Sequence, residues 1–470
     1  MKEHEKISQA LAEISDAHIE EAAEPRSAKR RVWLRITALA AIAALVIAIV
    51  QTQLPTEVSA DMLVSQAGAC RASQMPNRVD YDSVEAYRAD LDRWLIEWDQ
   101  RSETVATALE QLSGFFTAGN TQFLTGDNEN AAWSPINAYI GLAMAAELAA
   151  ENSRQQILEL FGVDSIEALR GQTSTIWEST YTYEDGPEAC TLANSLWLQQ
   201  GLQFRQEAMD DLAYHYYASV YQTDLSKAGT AISNWLRNNT GGILKNYDVQ
   251  LPGSAVMALY STIYFQSRWT EAFAASANTE DVFHAPGGDK TVTYMNKSEV
   301  TLTYHYGEHF SAVALSLVNG SEMWLILPDD GYSPADVLAE GEYMDMLLHR
   351  RWENHKTVRV NLSMPKFGIS GDSDLASGLR QMGLTDIFDT GKADLSAAFP
   401  QERVFFTAAT QALRVQVDEE GIKAAAYFGL PGATSPVPPD EIIDFVLNRP
   451  FLFVISRSDI PLFTGVVANP

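Results

Sequence analysis

Apolar and polar residues alternate in several segments of the C-terminal half of the chain, and this alternation predicts β-strands. Residues 413–419 read LRVQVDE, whereas residues 449–455 read RPFLFVI, an almost continuous apolar run. Alternation is typical of a strand with one buried face, and a short apolar run of a strand buried on both faces. The same criteria predict strands at residues 191–199, 256–266, 311–318, 322–328, 357–367, 403–417, 451–457 and 462–467.

Helical spacing of apolar residues recurs in three other segments. Residues 136–162 predict a helix that breaks near Asn152, residues 230–245 predict a second helix, and residues 83–112 predict a third. Helices are scattered and strands are concentrated late in the chain, so the pattern indicates an α+β fold.

The segment between the two strands first described, residues 419–441, reads EEGIKAAAYFGLPGATSPVPPDE. Its three consecutive alanines favour a helix. Gly421 on one side, and Gly429 and Pro431 on the other, leave space for barely two turns. We therefore expect a long exposed loop here.

A basic cluster, KRR, precedes an apolar stretch of 19 residues at positions 32–50. This length is enough to cross a hydrocarbon core of roughly 30 Å, and the long side chain of Arg35 can reach the headgroups. Because the positive charges flank only the N-terminal side, the pattern predicts a cytoplasmic tail at residues 1–31, a transmembrane anchor at 32–53 and an extracytoplasmic helical spacer at 54–111.

A cleaved signal peptide is the alternative to an anchor, because residues 58–60 (VSA) resemble a signal-peptidase site ending at Ala60. An N-terminal region of more than thirty residues before the apolar stretch is unusual for such a peptide, so the uncleaved anchor is favoured. The tail carries Ile7, Leu11 and Ile14 at helical spacing. This spacing fits a cytosolic partner of residues 1–31 as well as a short acidic helix without one.

The 470 residues carry a formal net charge of −28, which argues against a nucleic-acid partner and fits a solvated acidic surface. The two cysteines, Cys70 and Cys190, exclude a disulfide framework and leave one disulfide open. No internal repeat or low-complexity linker divides residues 112–470, which indicates one large domain.

None of the common catalytic motifs, GxSxG, HExxH, GxGxxG or GxxxxGK[ST], is present in the sequence. His305 and His309 are four residues apart, but Gly307 and β-forming neighbours separate them, so we do not expect a pair of metal ligands on a helix. The sequence therefore predicts no enzyme, no metal and no cofactor, and a hydrolase has no motif behind it.

Several ordered segments together resemble the serpin family of serine protease inhibitors over residues 112–470. They read NAAWSPINAYIGLAMAAELAAENSRQQILELFG, TLANSLWLQQGLQF, VMALYSTIYFQSRWTEAF, LILPDDG, MPKFGIS, LASGLRQMGLTDIFD, VDEEGIKAAA and RPFLFVISRSDIPLFTGVVANP. The resemblance implies three β-sheets, about nine helices and an exposed reactive-centre loop. In family members, cleavage lets the N-terminal half of this loop enter the main sheet as an extra strand and carry the covalently attached protease with it.

The resemblance also assigns a hinge at the start of the loop. Its residues are Glu419, Glu420, Gly421, Ile422, Ala424, Ala425 and Ala426. An inserted strand must alternate its faces, and here Ile422, Ala424, Ala426 and Phe428 share the inward face while Lys423, Ala425 and Tyr427 face outward. Ile422 is larger than the Thr or Ser usual in the family, and Pro431 lacks the N–H that a central strand donates.

Family spacing places the scissile bond between Ser435 and Pro436. Because a bond before proline is a poor protease substrate, Ala433, Thr434 and Ser435 share the prediction of the primary specificity residue. No Arg or Lys lies between Ala424 and Glu441, so small side chains imply an elastase-like or subtilisin-like target.

The resemblance further places a polar cluster beneath the opening of the main sheet, where family members hold Ser, Asn and His. The aligned positions here are Asn137, Ser261 and Gln411, and together with Ser134 of the SP signature we call them the shutter cluster. The three aligned positions remain polar, with Asn and Ser exchanged and Gln in place of His, which predicts a rewired hydrogen-bond network.

These expectations combine into a monomeric, single-pass cell-membrane protein whose N-terminus is cytoplasmic and whose serpin domain is extracellular. The anchor, and the absence of a eukaryotic type of signal, point to a bacterial member. Its partner would be an extracellular serine protease held in a covalent complex. The alternative is a non-inhibitory serpin-fold module that binds or senses at the cell surface.

Overall fold

A computed structural model describes residues 62–69, 76, 78–124, 129–181, 188–242, 248–349, 352–422 and 439–470. These residues belong to one compact unit, Val58–Pro470. The predicted tail (1–31), the anchor (32–53) and Cys70 lie outside the described residues, and Cys190 is a buried thiol. No described helix is both long and apolar enough to cross a membrane.

Nine α-helices occur in the described part of the chain. They are α1 (Val84–Phe123), α2 (Pro135–Leu148), α3 (Glu151–Leu160), α4 (Ile166–Thr180), α5 (Gln206–His215), α6 (Gly229–Asn239), α7 (Pro334–Glu340), α8 (Glu342–His349) and α9 (Ala376–Gln381). The predicted break near Asn152 is present, because α2 ends at Leu148 and Glu151 adopts a left-handed backbone with φ of 44°.

Helix α1 is longer than predicted and has 40 residues. Ser83 caps its first turn by accepting a hydrogen bond from the amide of Ala86. One face of its second half is buried from Val105 onward, whereas Leu95 and Trp98 in the first half are exposed. The helix therefore continues without a break across residue 112, the predicted start of the serpin domain.

The described strands number sixteen. They are β1 (Leu63–Ser65), β2 (Ala131–Trp133), β3 (Ala189–Gln199), β4 (Ala218–Thr223), β5 (Met257–Arg268), β6 (Thr279–Ala285), β7 (Gly288–Tyr306), β8 (Phe310–Ser316), β9 (Ser321–Pro328), β10 (His355–Pro365), β11 (Phe367–Asp374), β12 (Thr410–Val417), β13 (Gly421–Ile422), β14 (Ile442–Val446), β15 (Phe451–Arg457) and β16 (Ile460–Val467). The strand predicted at residues 403–417 begins only at Thr410.

These strands form two hydrogen-bonded sheets. The main sheet has the order β1-β4-β3-β5-β13-β12-β11, and the second has the order β14-β10-β7-β8-β9-β15-β16-β2, with β6 paired to β7. We expected three sheets. Strand β7 is 19 residues long and pairs with β6 and β10 over most of its length and with β8 at its end, so it joins two of the expected sheets into one.

The main sheet is covered on both faces. Helix α2 is buried along nearly its whole length, which fits its apolar sequence, and it packs against β5. On the opposite face, Ile232 and Trp235 of α6 pack in a separate apolar cluster with Trp197 of β3. This arrangement places the N-terminus of α2 beneath β5 and β12, where only the two-residue strand β13 lies between the two long strands.

Candidate functional site: the hinge and the gap in the main sheet

Strand β13 is the shortest strand of the main sheet, and it lies between two long ones. Ile422 pairs with Val417 of β12 on one side and with Ser267 of β5 on the other, and Gly421 pairs with Arg268. Among the described residues, no other segment bridges β5 and β12. Strands β5 and β12 are therefore bridged at one end by the two residues of β13. Beyond that end, no described residue lies between the two strands.

A gap extends from Ile422 along the interval between β5 and β12. Thr262, Ile263 and Phe265 of β5 line one side, and residues 412–415 of β12 line the other. Asn137 lies at the lower end. Ile455 and Phe463 also line the gap, which is partly open to solvent. It is an opening within a sheet whose inner face is apolar.

The turn before β13 is tightly closed by one carboxylate. Asp418 Oδ1 accepts hydrogen bonds from the amides of Glu420 at 3.0 Å and Gly421 at 3.3 Å, and the Asp418 amide donates to the carbonyl of Gly421 at 3.1 Å. Such Asx geometry is a common way to start a turn. The carboxylate thereby directs the chain from β12 back into the sheet.

Gly421 is required at the point where the chain re-enters the sheet. Its φ is 152°, a conformation that glycine adopts readily and other residues rarely do. A Cβ atom built on it would lie 2.3 Å from the carbonyl oxygen of Ser267 and 2.6 Å from the Cα atom of Arg268. Only a residue without a side chain fits this close approach to β5.

Glu419 fastens the hinge to the rest of the domain. Its carboxylate lies 2.5 Å from Lys366 Nζ and accepts a hydrogen bond of 2.6 Å from Asn278 Nδ2. Its carbonyl oxygen accepts from the amide of Phe273 at 2.9 Å. Burial opposes ionisation of Glu419, but the hydrogen bonds from Lys366 and Asn278 outweigh it and hold the pKa of the carboxyl below its ordinary value.

Trp269, the residue after β5, also binds the turn at residues 418–420. Its indole Nε1 donates to the carbonyl of Asp418 at 2.9 Å, and its backbone amide donates to the carbonyl of Glu420 at 3.1 Å. Neither Trp269 nor Lys366 is among the site residues predicted from the sequence. Both occur in segments that carried the resemblance, RWTEAF and MPKF, but nothing local to them indicates the contact.

The structure brings the four shutter residues together. The amide of Ser134 donates to Gln411 Oε1 at 2.6 Å, and Gln411 Nε2 donates to the carbonyl of Ser134 at 3.0 Å. Ser134 Oγ accepts from the amide of Asn137 at 3.4 Å, and Ser261 Oγ donates to Asn137 Oδ1 at 3.4 Å. Ser134 Oγ also donates to the carbonyl of Leu462 at 2.6 Å. The network connects β5, β12 and β16 through the start of α2.

Other predicted residues lie apart from this site or outside the described residues. Those outside are Ala424, Ala425 and Ala426 of the hinge and Ala433, Thr434, Ser435 and Pro436 of the reactive bond. His305 is buried against Trp324 and Trp352, and burial, together with the charge of His355, lowers its pKa to about 4. Among the described residues no group of His, Cys, Asp or Glu side chains could hold a metal ion.

The sequence is similar to known serpins over most of its length. It is 26% identical over 364 residues to Serpin B7 of Homo sapiens, covering 73% of this chain and 94% of that protein. It is 25% identical over 365 residues to Serpin-Z1A of Triticum aestivum, covering 73% of this chain and 90% of that protein.

Solved structures show the same fold. The thermophilic serpin tengpin in its native state superposes with a TM-score of 0.68 at 24% identity, covering 77% of this chain and 94% of tengpin. The complex of thyroxine-binding globulin with thyroxine gives a TM-score of 0.64 at 21% identity, covering 79% of this chain and 99% of that one.

Residues 116–470 match the family described as Serpin (serine protease inhibitor). This range is most of the chain, and it contains the hinge, the gap and the shutter cluster. Family membership also confirms that the chain is not an enzyme. The chain belongs to the serpin family.

Proposed function

We propose that the chain inhibits extracellular serine proteases as a suicide substrate, by cleavage of the loop at residues 423–438 and insertion of its N-terminal half between β5 and β12. The observation that carries this proposal is the position of β13. Its two residues already pair with both flanking strands at the head of an otherwise open gap. Both strands that border the gap, β5 and β12, therefore already pair with the start of the loop in a defined register.

Continuing this register gives a specific arrangement of the inserted strand. In an antiparallel ladder each step along one strand is a step back along its neighbour, so the pairs Ile422–Val417 and Ile422–Ser267 extend to position 428 opposite Gln411 and Ser261. Phe428 would then reach the shutter cluster. The six residues 423–428 would fill the interval between Ile422 and the shutter cluster.

The inward face of the gap suits the side chains that would enter it. Ile422 is 3% exposed, and directly paired residues of a ladder point to the same face. Position 424 would lie between Phe265 and Val415, both buried, and position 426 beside Leu413. Alanine at 424 and 426 adds apolar surface without overfilling the space above α2.

Insertion is favourable because it completes a ladder that the intact loop cannot complete while tethered at both ends. Each added backbone hydrogen bond contributes about 1 kcal/mol net, and burial of the apolar face adds to it. Cleavage releases one tether. The free energy of insertion is then available to move the protease, which is joined to the loop by an ester to its catalytic serine.

The target is an elastase-like or subtilisin-like protease that accepts Ala433, Thr434 or Ser435 in a shallow pocket. Incubation of the full-length protein with such proteases should give a complex that survives SDS, and mass spectrometry of the released C-terminal fragment should locate the bond. Clean cleavage without a complex, and without a gain in thermal stability, would instead support the non-inhibitory module. The thyroxine complex of thyroxine-binding globulin shows a serpin fold with a bound small molecule.

The location at the membrane is the second part of the proposal. The apolar stretch within residues 32–53, preceded by KRR, supports a single-pass anchor with residues 1–31 in the cytoplasm and the serpin domain outside. Protease added to intact cells should degrade the serpin domain and leave an epitope in residues 1–31 protected. An N-terminus at Asp61 in the mature protein would show that the stretch is a signal peptide.

A further inference from the structure

Three residues behind the hinge, Asn319, Ser321 and Arg457, form a cluster that has more hydrogen-bond donors than acceptors. Asn319 lies in the turn between β8 and β9, Ser321 begins β9, and Arg457 ends β15. Ser321 and Arg457 are directly paired across the ladder. The Ser321 amide donates to Asn319 Oδ1 at 3.1 Å, and Arg457 Nη1 donates to the Asn319 carbonyl. The three residues are therefore mutual neighbours, and we call them the donor cluster.

Each residue of the donor cluster has a buried polar atom that no described residue hydrogen-bonds. These atoms are Asn319 Nδ2, Ser321 Oγ and Arg457 Nε. Ser321 is only 1% exposed. Since buried polar groups in native proteins are almost always hydrogen-bonded, three such groups in contacting residues indicate an acceptor bound among them.

The charge of Arg457 indicates what kind of acceptor this is. Other arginines of this region have carboxylate partners, as Arg268 has in Glu188 and Arg449 has in Asp330. Within the described residues Arg457 forms no ion pair, and its guanidinium bonds only to a neutral carbonyl. A partly buried positive charge is stabilised by a nearby negative one.

We infer that the donor cluster binds a small monovalent anion of the halide type. A single water molecule is a poorer occupant, because its two lone pairs accept two donors and it must place its own hydrogens among groups that are mainly donors. A halide accepts all three hydrogen bonds and supplies a negative charge beside the guanidinium of Arg457. The site is formed by residues of the body of the domain, so the inference does not depend on inhibitory activity.

The donor cluster is linked to the hinge by one hydrogen bond. The backbone amide of Asn319 donates to Ser267 Oγ at 3.4 Å, and Ser267 is the residue that pairs with Ile422. An anion that orders Asn319 therefore also orders the part of β5 that receives β13. We expect the anion to stabilise the uncleaved protein.

The test measures thermal unfolding of the full-length protein in detergent micelles, with sodium chloride replaced stepwise by sodium gluconate at constant ionic strength. Gluconate is too large for the cluster. Chloride should raise the apparent melting temperature in a saturable way, by about 2 °C or more, and bromide should do the same. Equal melting temperatures in chloride and gluconate would mean water alone fills the site and would overturn the inference.

Two variants and a matched control show where the anion binds. R457Q removes the charge and S321A removes one donor, and each should lose at least half of the chloride-dependent shift. R449Q removes an arginine near the other end of β15 that has its own carboxylate partner, and it should keep the whole shift. An equal chloride effect in all four proteins would assign it to general surface binding and contradict the inference.

A second measurement covers the case in which R457Q fails to fold. Chloride exchanging on and off the wild-type protein should broaden the chlorine-35 resonance, and bromide should reverse the excess broadening. S321A, which keeps the arginine and the backbone contacts, should show less than half of that excess. Excess broadening that is unchanged in S321A would contradict the proposed ligands.

Discussion

Gln411 exchanges two hydrogen bonds with the backbone of Ser134, accepting from its amide at 2.6 Å and donating to its carbonyl at 3.0 Å. The side chain thereby attaches strand β12 to the N-terminus of α2. Both residues are buried, so neither bond can be replaced by bulk water. The attachment holds one wall of the gap in place while the gap is open.

Gln411→Ala should therefore destabilise the uncleaved protein by about 1–3 kcal/mol, because it leaves the buried amide of Ser134 without a partner and its carbonyl with only the hydrogen bond from Ala138. The cleaved protein should lose less, since an inserted strand would hold β12 from its other side. Thermal melts before and after loop cleavage measure both values. Gln416→Ala, on the exposed face of the same strand, is the control. Equal losses in both forms would contradict the prediction.

Gly421→Ala should expel β13 from the main sheet, because a Cβ atom would lie 2.3 Å from the carbonyl oxygen of Ser267. Insertion would then start from an unpaired loop, and more of the protein should be cleaved as a simple substrate. The number of inhibitor molecules consumed per protease inactivated should rise several-fold. Glu420→Ala changes an exposed neighbour and should leave this ratio unchanged; a normal ratio in Gly421→Ala would show that hinge pairing is dispensable.

The alternation of the loop predicts opposite outcomes for adjacent alanines. Ala424→Glu places a carboxylate on the predicted inward face, where burying an unpaired charge opposes insertion. Ala425→Glu places the same group on the outward face. With an elastase-like protease, the first variant should yield cleaved serpin and active protease, whereas the second should still form an SDS-stable complex. Identical behaviour of the two variants would refute the register.

Glu419 should make the hinge sensitive to acid. Its pKa is held below the ordinary value in the folded protein, so its contribution to stability is present above the unfolded pKa of about 4.3 and is lost as pH falls through the folded pKa. The difference in melting temperature between wild type and Glu419→Gln should be constant above about pH 5 and shrink below about pH 4. A difference in melting temperature that is the same at every pH would contradict this prediction.

His305 should make the stability of the protein depend on pH in a higher range than Glu419 does. Burial lowers its pKa to about 4 from an ordinary value near 6.5, so the unfolded chain binds a proton that the folded protein excludes between these values. Stability should fall as pH decreases from about 6.5 to about 4, by up to about 3 kcal/mol. His305→Phe should flatten this slope in a pH series of denaturant titrations, and an unchanged slope would exclude His305 as its source.

The sequence predicts those parts of the fold that depend on local periodicity. The helix break near Asn152 and most strands appear where apolar spacing changes, because burial of one face imposes a period of two or 3.6 residues. Ile422 shows the same effect, since its inward orientation follows from alternation along the loop. The shutter residues came from order and spacing within a resemblance, and the structure places them in contact.

Contacts between distant segments are not encoded in any local pattern. Lys366 and Glu419 are 53 positions apart, and a lysine after proline looks like an ordinary surface residue until β11 and the hinge are adjacent. The joining of two expected sheets through β7 has a similar cause, because strand length does not reveal which partners a strand has. Residues 403–409 are apolar enough for a strand but form no ladder, because their backbone makes single hydrogen bonds instead, from the Phe406 amide to the Ile387 carbonyl and from the Leu375 amide to the Ala409 carbonyl.

Under the proposed inhibitory mechanism, the two paired residues of β13 also affect the timing of insertion. After cleavage, a strand that must first find its register is delayed by the entropy of closing a loop, whereas a strand with its first pairs formed only has to extend. Water meanwhile attacks the ester that joins protease to inhibitor. The outcome depends on whether strand insertion or hydrolysis of the ester is faster. Because Ile422 is already paired with Val417 and Ser267 before cleavage, the first step of insertion is complete when hydrolysis begins.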